Sequence, residues 1–204
     1  MAKASTVKEN RFTKRREPFN FMLWLGLGGS VLLFTILLGT YVMRKSVGVH
    51  WTDVPLPSLF WVSTCVIIVS SFTLHGANLA LQKDQFPRFR SFIGATLSLG
   101  IVFVVLQFLG WTQLIQAGIS TVNNPSVGFI YLLSGIHILH IVIGVAVLAW
   151  AVYQSLKNHS YVDAFVFSVN PPNQLKIKLI TIYWHFVDVL WLYVFAFLLY
   201  HHGF

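Results

Sequence analysis

Five stretches of this chain run for a bilayer's width without a formal charge or with a single one. They limit the fold more than any other feature. They lie at Phe19 to Met43, Pro57 to Gln82, Phe92 to Gly118, Ser126 to Ser155 and Leu179 to Tyr200. A helix needs about 20 apolar residues to cross a bilayer, and each stretch meets that length. The runs do not alternate between polar and apolar residues, and a lipid-exposed sheet edge would leave backbone groups unsatisfied, so strands are excluded. The expected fold is all-α, a polytopic bundle of five transmembrane helices. Composition agrees: of 204 residues, 56% are hydrophobic and only 10% charged, too apolar for a polar-surfaced soluble domain.

The connectors "HWTDVPLP", "QKDQFPRFR", "TVNNP" and "KNHSYVDAFVFSVNPPNQLKIK" carry turn chemistry and leave no room for a separate soluble domain. Residues 1–18 read as a polar basic N-terminal tail, and residues 19–204 as the transmembrane domain. The first apolar run is too long for a signal-peptide core and lacks a convincing cleavage site. Cys65 is the single cysteine, so neither a disulfide framework nor a thiolate metal cluster is available.

The net charge of +8 raises the question of nucleic acid, but the basic residues flank the spans and form no aromatic-interleaved patch. No nucleic-acid partner is expected. Every Lys and Arg except Arg44 and Lys45 precedes span one, follows span two or follows span four. With five alternating spans, the positive-inside rule places the N-terminus in the cytoplasm and the C-terminal "YHHGF" outside.

Polar residues inside the spans fall on stripes. Thr64, Ser71, His75, Asn78 and Gln82 share one face of span two; His137, His140 and Gly144 share one of span four; Trp184, Asp188 and Trp191 share one of span five, with His185 adjoining. These faces are expected to turn toward protein, and Gly26, Gly28, Gly29 and Ser30 to let another helix approach span one closely. A carboxylate at mid-bilayer costs about 2.5 to 3.5 kcal/mol on insertion scales. Asp188 therefore calls for a partner, and His185, or His137 or His140 from span four, is the expected one. The five polar residues His75, His137, His140, His185 and Asp188 are the candidate structural sites, and Trp184, Trp191 and Asn78 the candidate lipid or helix contacts.

Sharper chemistry competes with this structural reading. Two imidazoles on facing helices would ligate a b-type haem, but His137 and His140 sit three apart on one helix with no matched ligand face. Asp188 with His185 could form a proton-relay dyad, yet no span holds a second acidic residue to extend the chain. The stripe on span two could line a substrate path, though no inverted repeat or mid-span break supports a transporter.

The motifs "SSFTLHGANLAL", "SGIHILHIVIG" and "YWHFVDVLWLYVF", in that order and separation, resemble subunit III of the haem-copper terminal oxidases, the cytochrome c and quinol oxidases. "YWHFVDVLWLYVF" and "SGIHILHIVIG" together are the specific ones, and the resemblance extends from Phe19 onward. It is to the shorter five-span form, which lacks the first two of the family's usual seven spans. It implies an accessory subunit in a bacterial plasma membrane that packs against oxidase subunits I and II, binds phospholipids, and helps sustain proton uptake and turnover stability. Haem and copper are expected in the partner subunits and no cofactor in this chain; the complex would reduce oxygen to water and pump protons. Ser30, Gly110 and Lys178 stand where relatives carry acidic residues, so a proton-feeding role through those carboxylates does not carry over. The competing readings are an accessory protein of nitric oxide reductase, and a free-standing transporter or b-type cytochrome.

Overall fold

The computed structural model describes residues 11–48, 51–52, 54–116, 118, 124–157, 165 and 170–202. Five long helices make up this structure: α1 (Arg11–Val47), α2 (Ser58–Gln82), α3 (Phe86–Gln116), α4 (Pro125–Lys157) and α5 (Pro171–His202). All five are long and apolar enough to cross a membrane, and no strand occurs among the described residues. Even α2, the shortest at 25 residues, is about 38 Å long at 1.5 Å per residue, more than a hydrocarbon core of about 30 Å.

Three helices begin earlier than the charge-free windows suggest. Helix α1 starts at Arg11, taking in part of the expected polar tail; α3 starts at Phe86 and α5 at Pro171. Basic residues such as Arg88, Arg90, Lys176 and Lys178 are compatible with helix at a membrane edge, because their stems lie along apolar surface while their heads reach water. A charge-free window stops at the first such residue, whereas the backbone ladder does not. Pro18 lies inside α1 where the charged turns meet the apolar run.

The helix ends are built from recognisable local chemistry. Asn124 is the N-cap of α4: its Oδ1 accepts from the Ser126 amide at 3.1 Å, with Pro125 at the first helical position. The α2–α3 turn is a Schellman motif in which Asp84 takes the left-handed conformation (φ 55°). Its amide donates to Leu81 O at 3.1 Å, and that of Gln85 to Ala80 O at 2.9 Å.

One end of the bundle is tied together by polar side chains. Asn124 Nδ2 donates to Thr52 O at 2.8 Å, joining the α1–α2 and α3–α4 connections. His202, the last residue of α5, bonds Tyr41 Oη at 3.0 Å and Val54 O at 2.8 Å, and Lys45 Nζ donates to His201 O at 2.9 Å. These contacts put the first and third connections and the C-terminal end of α5 on one side, as five alternating spans require. The α2–α3 turn is at the other.

Helices α2 and α3 form the most intimate pair, and α5 packs on α1, α2 and α4. Helix α1 lies at the edge and meets α4 and α5 through one stripe, with Leu27, Phe34, Leu38 and Tyr41 buried. Many of its other apolar side chains, among them Trp24, Leu32 and Ile36, are exposed. The glycines expected to admit a close neighbour do not: a Cβ on Gly26, Gly28 or Gly29 would meet nothing within 4 Å. Close approach occurs elsewhere, at Gly100 of α3 and Gly144 of α4, where added Cβ atoms would lie 2.6 and 3.1 Å from the Trp184 ring. A large ring entering from α5, rather than a neighbouring backbone, is what requires a glycine there.

Candidate functional site

The polar face of α5 meets the stripe of α2 in antiparallel register, and four pairs of side chains join the two helices. Trp191 Nε1 donates to Thr64 Oγ1 at 2.9 Å, and Trp184 Nε1 to Ser70 Oγ at 2.9 Å. Ser71 Oγ and His185 Nδ1 share a hydrogen bond at 2.7 Å, and Asn78 Nδ2 donates to Thr181 Oγ1 at 3.1 Å. Trp184, Trp191 and Asn78 are thus helix contacts. A buried indole N–H left without an acceptor would be costly in lipid, so each tryptophan needs a hydroxyl on α2 at its own level.

The histidines diverge. His140 is half-buried on the α1 side, with Nε2 3.1 Å from Ser30 Oγ and Nδ1 2.8 Å from its own helix at Ile136 O. His137 is fully buried against Phe103 and Trp191, whose ring centroids lie 5.8 and 5.0 Å away, and neither ring nitrogen has a hydrogen-bond partner among the described residues. His75 is exposed, so the α2 stripe does not turn wholly toward protein; Gln82 is exposed as well.

The expected partner of Asp188 is absent from both directions. His185 is hydrogen-bonded to Ser71, His140 to Ser30, and neither carboxylate oxygen of Asp188 has a hydrogen-bond partner among the described residues. Nevertheless Asp188 is 4% exposed and lies midway along the apolar part of α5. The structure corrects the pairing because Ser71 of α2 takes the His185 ring, although spacing three residues apart on one helix would let His185 and Asp188 meet.

Two cavities flank this face, and His75 lines both. One, about 410 Å³, is bounded by Ser71, Phe72, His75, His185, Asp188 and Leu192, with Ile68 and Val189 completing it. The other, about 600 Å³, is bounded by His75, Asn78, Gln82, Asp84, Gln174, Lys178 and Thr181, with a few aliphatic side chains. Together they form a groove along α2 and α5, with its polar groups toward the α2–α3 turn, that runs past Asp188 and is open along its side, where Phe72 and Val189 are exposed. Among the described residues no group of three or more His, Cys, Asp and Glu is arranged to hold a metal ion.

Several polar contacts were not singled out from the sequence. Gln107 Nε2 donates to Ser63 Oγ at 3.0 Å, Trp111 Nε1 to Ser134 Oγ at 3.0 Å, and Thr73 and Thr96 share a bond at 2.9 Å. Lone serines and threonines in apolar runs give a weak signal because they are also able to bond their own helix, as Ser134 does to Ile130 O. The positions that depart from the acidic pattern are accounted for locally. Ser30 holds His140, Lys178 lines the cleft mouth, and a Cβ on Gly110 would come within 2.6 Å of the Phe60 ring, so a glutamate there would collide with it.

The family model described as cytochrome c oxidase subunit III matches residues 19–204. Among curated relatives, cytochrome c oxidase subunit 3 of Thermostichus vulcanus is 28% identical over 173 residues, covering 82% of this chain and 79% of the relative. The protein of the same name from Bacillus sp. (strain PS3) is 26% identical over 176 residues, 85% of this chain and 81% of the relative. Quinol oxidase subunit 3 of Bacillus spizizenii is 25% identical over 176 residues, 85% and 82%. The five-helix membrane bundle and these matches, which extend over most of its length, lead to one conclusion: the chain belongs to the cytochrome c oxidase subunit III family and is an accessory subunit of a haem-copper oxidase.

Proposed function

We propose that this subunit packs against oxidase subunits I and II in a bacterial plasma membrane, and that it stabilises the complex and its phospholipid surroundings without redox chemistry of its own. The complex reduces oxygen to water and pumps protons, with haem and copper held by the partner subunits. The N-terminus and the α2–α3 turn face the cytoplasm, in line with the basic residues Lys83, Arg88 and Arg90. One observation carries the reading: Trp184, Trp191, His185 and His140 are engaged in joining this chain's own helices, through Trp184–Ser70, Trp191–Thr64, His185–Ser71 and His140–Ser30. Rings of Phe103 and Trp191 crowd His137, where a haem ligand would need an open face.

Copurification tests the assignment. An affinity tag on this chain should retrieve oxidase subunits I and II, and deleting the chain should leave early turnovers intact while shortening the period of sustained activity. Retrieval of a nitric oxide reductase instead would overturn the proposal. So would a Soret band in the isolated chain that vanishes in His137 or His140 variants.

A further inference from the structure

Asp188 is the feature that an accessory role leaves unexplained. A carboxyl group with both oxygens buried and no hydrogen-bond partner among the described residues, halfway along a membrane helix, requires a proton or water to satisfy it. The cleft supplies a route for either. From Lys178 at its mouth to Asp188 at its inner end, α5 advances about 15 Å, ten residues at 1.5 Å each. Asn78, Thr181 and His75 line that distance and offer hydrogen bonds to water at successive turns, and His75 borders both halves.

We infer that the groove between α2 and α5 admits water from the end of the bundle that bears Asp84 and Lys178, and that Asp188 at its inner end is a proton-binding site in exchange with that side of the membrane. The titratable groups facing Asp188 across the cleft are His75 of α2 and His185 of α5. Asp84 and Lys178 stand at the mouth. The imidazoles of α4 point elsewhere, His137 to Phe103 and Trp191 and His140 to Ser30. Ser71 and His185, already bonded to each other, line the groove's inner end. The oxidase assignment is independent of this inference, because the measurements below read water and protons in the chain and not oxygen reduction.

The test uses the intact oxidase in sealed vesicles of known orientation. Cys65, the sole cysteine, is replaced by alanine, and single cysteines are placed at Asn78, Ser71 and Val69, the last exposed on the same helix but outside both cavities. A charged, membrane-impermeant methanethiosulfonate is added to the face carrying the α2–α3 turn. Reaction at Asn78→Cys and Ser71→Cys should exceed that at Val69→Cys by about a hundredfold, the factor by which insertion scales disfavour a charged group at mid-bilayer. Equal rates at Ser71→Cys and Val69→Cys would mean a lipid chain or a partner helix fills the cleft, and would overturn the inference, as would reaction from the opposite face alone. Infrared spectroscopy reads the proton. A carboxylic C=O band that shifts on transfer to D₂O and titrates with pH is expected, is lost in Asp188→Asn and returns in Asp188→Glu. A spectrum in which that band is absent, or unchanged by Asp188→Asn, would refute proton binding even with the cysteines reactive.

Discussion

Replacing Gly100 by alanine tests how α5 is locked into the bundle. Trp184 extends from α5 between α3 and α4, and its indole donates to Ser70 of α2, so a single side chain touches three other helices. It is 1% exposed. An added Cβ on Gly100 would sit 2.6 Å from Trp184 Cη2 and 3.1 Å from Cζ2, closer than packed carbons tolerate. Overpacking of this kind costs about 1–3 kcal/mol, while the better helix propensity of alanine returns about 1 kcal/mol. Gly28→Ala is the matched control, because its Cβ meets nothing within 4 Å and it receives the same propensity gain. The difference between the two variants therefore isolates the collision, about 1–3 kcal/mol or roughly 5- to 150-fold in the unfolding equilibrium. Reversible unfolding of the isolated chain in mixed micelles, titrated with dodecyl sulfate and followed by circular dichroism, measures it. Trp184→Phe, which lacks the colliding atoms, should absorb most of the penalty, giving a coupling of about 1–2 kcal/mol in the double-mutant cycle. If Gly100→Ala and Gly28→Ala agree within about 0.5 kcal/mol, Trp184 is not wedged as described.

Three further outcomes are expected. Asn124→Ala removes the α4 cap and both bonds to Thr52; a loss of about 1–2 kcal/mol should appear in the same unfolding titration, with faster amide exchange at Thr52. Restoring an acidic side chain at Gly110 should prevent stable assembly alone, because Phe60 fills the space, but Gly110→Glu with Phe60→Ala should recover detergent-stable protein, and a single variant that accumulates normally would contradict the packing. Topology reporters after Lys83 and Lys157 should read cytoplasmic, and those at Arg44 and His202 external; an external reading after Lys83 would invert the orientation.

The number and class of the helices could be read from the sequence because a bilayer sets a length and penalises charge, and both leave long unbroken patterns. The stripes on α2 and α5 were legible for the same reason, since Thr64, Ser71 and Asn78 on one helix and Trp184 and Trp191 on the other repeat at helical spacing. What could not be read was pairing. Spacing places His185 and Asp188 within a turn of each other, but only the rotation of α5 against α2 decides that Ser71 bonds the histidine while neither carboxylate oxygen gains a hydrogen-bond partner among the described residues. Gly26, Gly28 and Gly29 mislead similarly, because a small residue permits close contact without supplying the neighbour, whereas Gly100 and Gly144 gain meaning only once Trp184 is in place.

The edge position of α1 bears on how the protein is made. Its buried stripe rests on α4 and α5, which leave the ribosome after it, while α2 and α3, which follow it directly, pair mainly with each other. During synthesis the first helix therefore enters the membrane with its contact surface unmet and waits there while a self-sufficient hairpin forms beside it. Arrival of α5 supplies its contacts through Tyr41, Lys45 and His202 at the far end, and joins that helix to the hairpin as well. A nascent chain stopped before α5 would leave α1 without the larger part of its seat.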